Sequence, residues 1–236
     1  MERDFLKHIN IKDEEVLRYL EYKGQVIDNN LKETINQCKN ITKARINPRY
    51  TFRVYSIKKN KGIIEFEGSN LKLESRDLYN VLKDCNKCIL MAVTIGLDIE
   101  KDIRKYSLTE LTKGIIIDSC ATTAIEEVCD MVQEEIQNNI LEDEQHTTLR
   151  YSPGYGDLPI EKNKDILDLI NGQKEIGLTI TTNGIMIPRK SVIAVIGISD
   201  NKLNQVKKSC INCNNRDTCK FKRGVDSCES YRIYKG

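Results

Sequence analysis

The chain has 236 residues, 39% hydrophobic and 31% charged, with a formal net charge of +2, the profile of a globular protein with enough apolar mass for its own core. No window approaches the roughly 18 consecutive apolar residues of a membrane span. The opening "MERDFLKHIN" also lacks the apolar run of an export signal, so membrane and secreted classes are set aside and a cytoplasmic chain is expected.

The first helical spacing covers Lys12 to Lys23, with Val16, Leu17 and Leu20 on one face and Gly24 as the stop. A second runs from Val26 to Thr42, where Ile27, Leu31, Ile35 and Cys38 recur at three- and four-residue intervals. Thr51 to Lys58 and Gly62 to Gly68 read as two short strands joined by "KKNK". Ser75 caps a helix through Leu78, Val81 and Leu82, and "CILMAVTIG" from Cys88 to Gly96 reads as a buried strand.

The longest helical signal lies between Ser107 and Ile140, on a stripe of Leu111, Ile115, Ile125, Val128, Val132 and Ile136. Gly114, Ser119, Ala121 and Ala124 line its middle, small enough for another element to pack close. A short helix is expected from Asn163 to Ile170, then strands "LTITT" and "SVIAVIGIS" separated by "NGIMIPRK". The mixture lacks regular βαβ alternation, which predicts one α+β domain with a small C-terminal appendage. The expected division is residues 1–205 for the domain and 206–236 for a basic, Cys-rich tail. From Lys202 to Gly236 nine Lys/Arg stand against three Asp/Glu, a net of +6, which leaves −4 on the rest. Such an end reads either as a surface for an acidic or nucleic-acid partner or as plainly solvated. With no Trp, and only Phe221 among the tail's basic residues, nucleic acid is disfavoured.

Between the long helical signal and the next helix stands "RYSPGYGDLPIEK", Arg150 to Lys162, with two glycines, two prolines, two tyrosines and one arginine. Arg150 supplies a permanently charged planar fork suited to a carboxylate or phosphate. Gly154 and Gly156 let backbone approach a ligand, Pro153 and Pro159 stiffen the frame, and Tyr155 offers a flat face and a hydroxyl. That set suits a nucleoside carrying an amino-acid tail; the other reading is a rigid connector with Tyr155 plugging the core. His146, four residues before Arg150, reads as a surface-loop histidine or as one near such a ligand.

Nine cysteines without an export signal point to buried or metal-binding thiols rather than disulfides. Cys38, Cys85, Cys88, Cys120 and Cys129 fall in helix- or strand-like patterns and read as small core residues, Cys85 and Cys88 despite their C-x2-C spacing. Cys210, Cys213, Cys219 and Cys228 have the spacing C-x2-C-x5-C-x8-C, in which four thiolates can close a tetrahedral site. Zinc there would brace the tail, whereas an iron–sulfur cluster could pass electrons; free thiols and a disulfide also remain open, since the spacing matches no common finger or ferredoxin run.

"RYSPGYGDLP" with "TTNGIMIPRKSVIAVIGI" resembles the activation domain of cobalamin-dependent methionine synthase, most closely the short stand-alone proteins of that family. "EEVLRYLEYKG" and "IIIDSCATTAIEEVCD" also match, in the right order, so the resemblance spans roughly residues 12 to 224. It implies a C-shaped domain with a twisted, mostly antiparallel sheet and flanking helices, holding S-adenosylmethionine along its inner curve. By motif position Arg150 would meet the methionine carboxylate, while backbone at Ser152 and Gly154, with Tyr155, would line the adenosyl portion. Glu126 or Glu127 is the nearest match to an acidic residue that could pair with the ligand's ammonium group. Short members of the family have a similar C-x2-C with a third cysteine, as in "CKFKR" here.

Three departures accompany the likeness. Fused domains continue Gly-Tyr-Pro-Ala-Cys-Pro, whereas this chain has Gly156-Asp157-Leu158-Pro159; "SDNKLNQV" lacks a ligand-touching tyrosine of the fused form; and these residues include no cobalamin, folate or homocysteine module. The implied role is therefore an accessory one in methionine biosynthesis rather than a complete methyltransferase. It would be a reactivation partner for a separately encoded synthase, docking on its vitamin B12 (cobalamin) module, with flavodoxin or ferredoxin as electron donor. The implied chemistry is reductive methylation: one electron and a sulfonium methyl rescue oxidised cobalamin, and the protein's task is positioning rather than acid–base work. The alternative is a metal-cluster-bearing reductive activator of other corrinoid proteins.

Overall fold

The computed structural model describes residues 8–142 and 144–201. The boundary expected between 205 and 206, and with it Cys210, Cys213, Cys219 and Cys228, lies outside the described residues.

Helix α1 (Asp13–Tyr19) opens with three carboxylates in its first turn, where the helix dipole favours them. Helix α2 (Asn29–Arg45) begins three residues later than its apolar spacing suggests, because Asp28 accepts the Leu31 N–H at 2.7 Å and so sets the cap, while Val26 is 95% exposed. Strands β1 (Arg49–Asn60) and β2 (Ile63–Phe66) form the expected hairpin, and a third strand, β3 (Lys72–Glu74), extends it. Ser75 caps helix α3 (Arg76–Val81) as read, accepting the Leu78 N–H at 2.9 Å. Strand β4 (Lys87–Thr94) is buried along all but its first residue.

The single signal from Ser107 divides into two helices, α4 (Asp98–Thr109) and α5 (Leu111–Ile140), broken at Glu110. The break turns Leu111 and Ile115 outward, 63% and 52% exposed, so the apolar stripe enters the core only beyond them. Gly114 lies at the crossing: a Cβ there would stand 2.7 Å from the Ser107 backbone nitrogen, closer than real contacts come. The small residues of α5 thus do admit a neighbour, and its buried Ser119 and Thr123 satisfy their hydroxyls on carbonyls four residues back.

Strand β5 (His146–Thr147) precedes the loop, and helix α6 (Lys162–Leu169) follows it, with α7 (Gly172–Ile176) after that. His146 is thus in an edge strand, paired with Ser199, rather than in a loop. "LTITT" does not join the main sheet. Its Thr179–Ile180 (β6) pairs with Met186–Ile187 (β7), inside the segment read as a linker, as a separate two-stranded hairpin. Strand β8 (Ser191–Ser199) returns to the main sheet.

The main sheet has the order β3-β2-β1-β4-β8-β5 with every pair antiparallel, and the fold is α+β with flanking helices, as expected. Alternate residues of β4 and β8 go to opposite faces, as the strand period of two requires. Ile89, Met91, Val93, Ala194 and Ile196 pack under α1, α2, α4 and α5, whereas Leu90, Ala92, Ile193 and Val195 pack with α3, α6 and α7. Helices cover both faces, so the two central strands read as continuous apolar runs even though they are antiparallel. Cys38, Cys85, Cys88, Cys120 and Cys129 are free and buried in these two layers, in agreement with the core reading. Burial pushes the thiols of Cys38 and Cys85 up to about 11, so they remain uncharged at neutral pH.

Candidate functional site

The site is built at the β8–β5 edge, where the register changes by one residue. Thr147 is opposite Ile198, yet Tyr151 bridges Val195, so four steps on one strand oppose three on the other. This is a β-bulge, which reverses the facing of the residues after it. Thr147 points at α5, and without the bulge Tyr151 would do so and Arg150 would not. With it Arg150 turns onto α5 and Tyr151, 5% exposed, enters the opposite layer.

Arg150 meets a polar ladder on one face of α5. Its Nη1 lies 2.8 Å from Asp130 Oδ1 and donates to Gln133 Oε1 at 3.1 Å, while Nη2 reaches Glu126 Oε2 at 3.4 Å. Gln133 and Gln137 in turn donate to the Thr147 hydroxyl, and Gln133 also reaches the Thr148 carbonyl at 3.3 Å. Residues 126, 130, 133 and 137 recur at helical spacing, so one side of an otherwise apolar helix holds the whole arrangement. The guanidinium is 11% exposed; burial opposes its charge, and the carboxylates of Asp130 and Glu126 hold it charged. Glu126 is the more loosely held of the two, 41% exposed in its side chain, and burial of its carboxyl raises its pKa despite Arg150.

Helix α1 forms another wall. Arg18 donates to Glu15 at 3.1 Å and lies 4.0 Å over the Tyr19 ring. Helix α1 packs on α5 beside the ladder, and burial, then the Glu126 charge, push the Tyr19 phenol upward. Sequence reading did not find Glu15, Arg18, Tyr19, Asp130 or Gln133. The i, i+4, i+7 polar spacing on α5 was the available signal for the last two.

Beyond Arg150 the chain makes two turns. In the first, the Tyr155 N–H donates to the Ser152 carbonyl at 3.2 Å, with Pro153 second and Gly154 third at φ +94°, the residue order of a type II turn. In the second, the Leu158 N–H donates to the Tyr155 carbonyl at 3.1 Å, and the Gly154 N–H closes both turns on the Leu158 carbonyl at 2.8 Å. Gly154 therefore has its N–H engaged within the loop. Leu158 is buried and anchors the segment, whereas the Tyr155 ring is 60% exposed. The core-plugging reading of Tyr155 is overturned; Tyr151 fills that role, its hydroxyl donating to the Tyr155 carbonyl at 3.0 Å.

Of the expected site residues, Arg150 and Glu126 are in contact, and Ser152, Gly154 and Tyr155 share the turn that follows. Together they offer a fixed cation, a partly exposed carboxylate and a flat exposed ring, the chemistry of a site for a zwitterionic ligand with an aromatic portion. Among the described residues no group of three or more His, Cys, Asp or Glu could hold a metal ion, and no helix is long and apolar enough to cross a membrane.

Residues 82–207 match the family model of the vitamin B12 dependent methionine synthase activation domain. Chains of known structure also match, among them the MetH reactivation domain crystallised with AdoHcy. The two share 14% identity at a TM-score of 0.59 over 86% of this chain and 75% of that one, a likeness of fold. No curated protein matches the sequence.

Proposed function

We propose, from the premise that this chain belongs to the vitamin B12 dependent methionine synthase activation-domain family, that it binds S-adenosylmethionine and reactivates a separately encoded cobalamin-dependent methionine synthase. The observation that carries the reading is Arg150, turned by the bulge onto an acidic helix face with one edge held tightly and the other loosely. Asp130 and Gln133 occupy Nη1 and fix the fork. The ligand's carboxylate would take the Nη2 edge in place of Glu126, and the released Glu126 would meet the ammonium group. Tyr155 and the turn backbone at Ser152 and Gly154 would bear the adenosyl portion.

Cobalamin bound to the partner's own module would supply the nucleophile that takes the sulfonium methyl. The work of this chain is to hold that methyl in line, which needs no acid–base pair. In this reading flavodoxin or ferredoxin supplies the electron, the protein works in the cytoplasm, and residues 206–236 form an appendage to the ligand-binding domain of residues 1–205.

Calorimetric titration with S-adenosylmethionine, with Arg150→Ala alongside, tests the reading. Saturable binding weakened about tenfold or more by the substitution, about 1.4 kcal/mol, is expected. Wild-type protein that takes up no ligand at millimolar concentration would overturn it.

A further inference from the structure

We infer that Asp157 is a positioning residue that fixes the ligand-bearing turn by tying the far end of the loop to the start of α3. The inference rests on the reading of the loop as the S-adenosylmethionine site.

Three donors from one short stretch converge on the Asp157 carboxylate. The Ser75 hydroxyl donates to Oδ1, the Arg76 N–H to Oδ2 at 2.8 Å, and the Asp77 N–H to Oδ1 at 3.3 Å. The amides of a first helical turn have no partner within their own helix, so a carboxylate from another segment is well matched to them. Ser75 is 3% exposed and also accepts the Leu78 N–H, so one buried hydroxyl joins the helix cap to the loop. The Ser75 hydroxyl and the two amides hold the Asp157 carboxyl below its usual range, so it is charged at neutral pH.

The contact is transmitted to the turn through the adjoining backbone and its hydrogen bonds. Asp157 lies between Gly156 and Leu158, and the Tyr155 carbonyl accepts from both Leu158 N–H and the Tyr151 hydroxyl. The Leu158 carbonyl holds the Gly154 N–H. A displacement of Asp157 therefore moves the backbone on both sides of Tyr155. Gly156 sits at φ +52° wedged against the Asp77 carboxylate and the Tyr151 hydroxyl, where a Cβ would collide with both. Ser75 and α3 precede residue 82, so this support comes from a part of the chain that the family model does not match.

Amide hydrogen exchange combined with ligand titration of Asp157→Ala and Asp157→Asn decides the matter. In Asp157→Ala the Gly154 and Leu158 amides should exchange about tenfold faster or more, with β4 amides unchanged, as expected for a local opening. S-adenosylmethionine affinity should fall about tenfold in the same variant. Asp157→Asn, which keeps one carbonyl oxygen for the α3 amides, should recover affinity to within about threefold of wild type. If Asp157→Ala does not fold, Ser75→Ala should speed exchange of the same two amides. Unchanged exchange at Gly154 and Leu158 overturns the inference, as does wild-type affinity in a variant whose loop has loosened. Absence of ligand binding by the wild type would sink the functional reading instead, and the exchange result would still judge the clamp.

Discussion

The two ends of the 150–159 loop are held by opposite chemistries. At Arg150 a buried cation is fixed to a helix face by ion pairs, one short and one long. At Asp157 an exposed carboxylate is fixed to a helix start by backbone amides and a hydroxyl. Ion pairs can be exchanged for a ligand's own charges without leaving a buried charge alone. The Asp157 carboxylate is part of the loop itself and is held by three donors at once, so that end can stay closed while a ligand's carboxylate is taken up at Arg150. The first end is suited to recognition and the second to support.

The largest test removes the cation. Without Arg150, the Glu126 and Asp130 carboxylates are left side by side on α5, 41% and 25% exposed in their side chains, and the loss costs up to about 3 kcal/mol, the figure for a fully buried pair. Arg150→Met should show that deficit in urea unfolding at neutral pH. Burial and the neighbouring Asp130 charge already push the Glu126 carboxyl upward, and removing Arg150 takes away what opposes them, so the protonated form of Glu126 is the better tolerated one. The deficit should therefore grow as pH rises through the carboxylate range and shrink toward pH 4. A deficit that is flat with pH would mean that the ladder is held by packing rather than charge.

The next test separates the glycines. Gly156 is wedged against Asp77 and Tyr151, whereas the nearest atom to a Cβ on Gly154 would be Ile160 Cγ1 at an ordinary 3.6 Å. Both have positive φ, so each alanine variant bears backbone strain of about 1–2 kcal/mol. Gly156→Ala should fall at or above the upper end, about 2 kcal/mol, and Gly154→Ala near 1 kcal/mol. Equal losses in thermal unfolding would remove the distinction between a seated and an open turn.

How far each region could be read beforehand follows the range of the contacts that shape it. Strands β4 and β8 and helix α5 are long enough for composition and period to declare them, and the small residues around Gly114 announced a close crossing. Helix α4 carries a short apolar stripe of Ile99, Ile103 and Tyr106 that is passed over for the longer one after it, and β6 and β7 have two residues each, too few for alternation to show. Arg150, Tyr155 and the loop glycines were legible because their residue types are unusual together. Asp130 and Gln133 were not picked out, because attention to the apolar stripe of α5 passes over the polar one beside it. The bulge has no glycine to signal it, and the partners of Asp157 lie some eighty positions away in sequence, |i−j| of 80 to 82.

Tyr155 tests whether support and recognition are separable at the tip between the two ends. Its ring is mostly in solvent, so Tyr155→Ala should leave unfolding stability within about 0.5 kcal/mol. S-adenosylmethionine affinity should nonetheless fall about fivefold, about 1 kcal/mol, from loss of the stacking face, with Tyr155→Phe closer to wild type. A variant that binds normally would confine recognition to the Arg150 end.

The smallest effect concerns Glu126, and its sign is informative. Burial raises the Glu126 pKa more than Arg150 lowers it. A carboxyl whose folded pKa lies above its unfolded value contributes stability that is full below the unfolded value and is lost as pH rises through the folded one. At neutral pH the ionised side chain is therefore a net cost, reduced by its partial exposure. Glu126→Gln should raise the melting temperature by about 1–2 °C at pH 7, and the gain should disappear near pH 4. The same variant should bind S-adenosylmethionine more weakly, since the ammonium group loses its counter-charge. A residue that costs stability while it assists binding is what an exchangeable partner for Arg150 must be. A fall in melting temperature at pH 7 would make the 3.4 Å pair a stabilising one, and Glu126 would join Asp130 as a fixed member of the ladder.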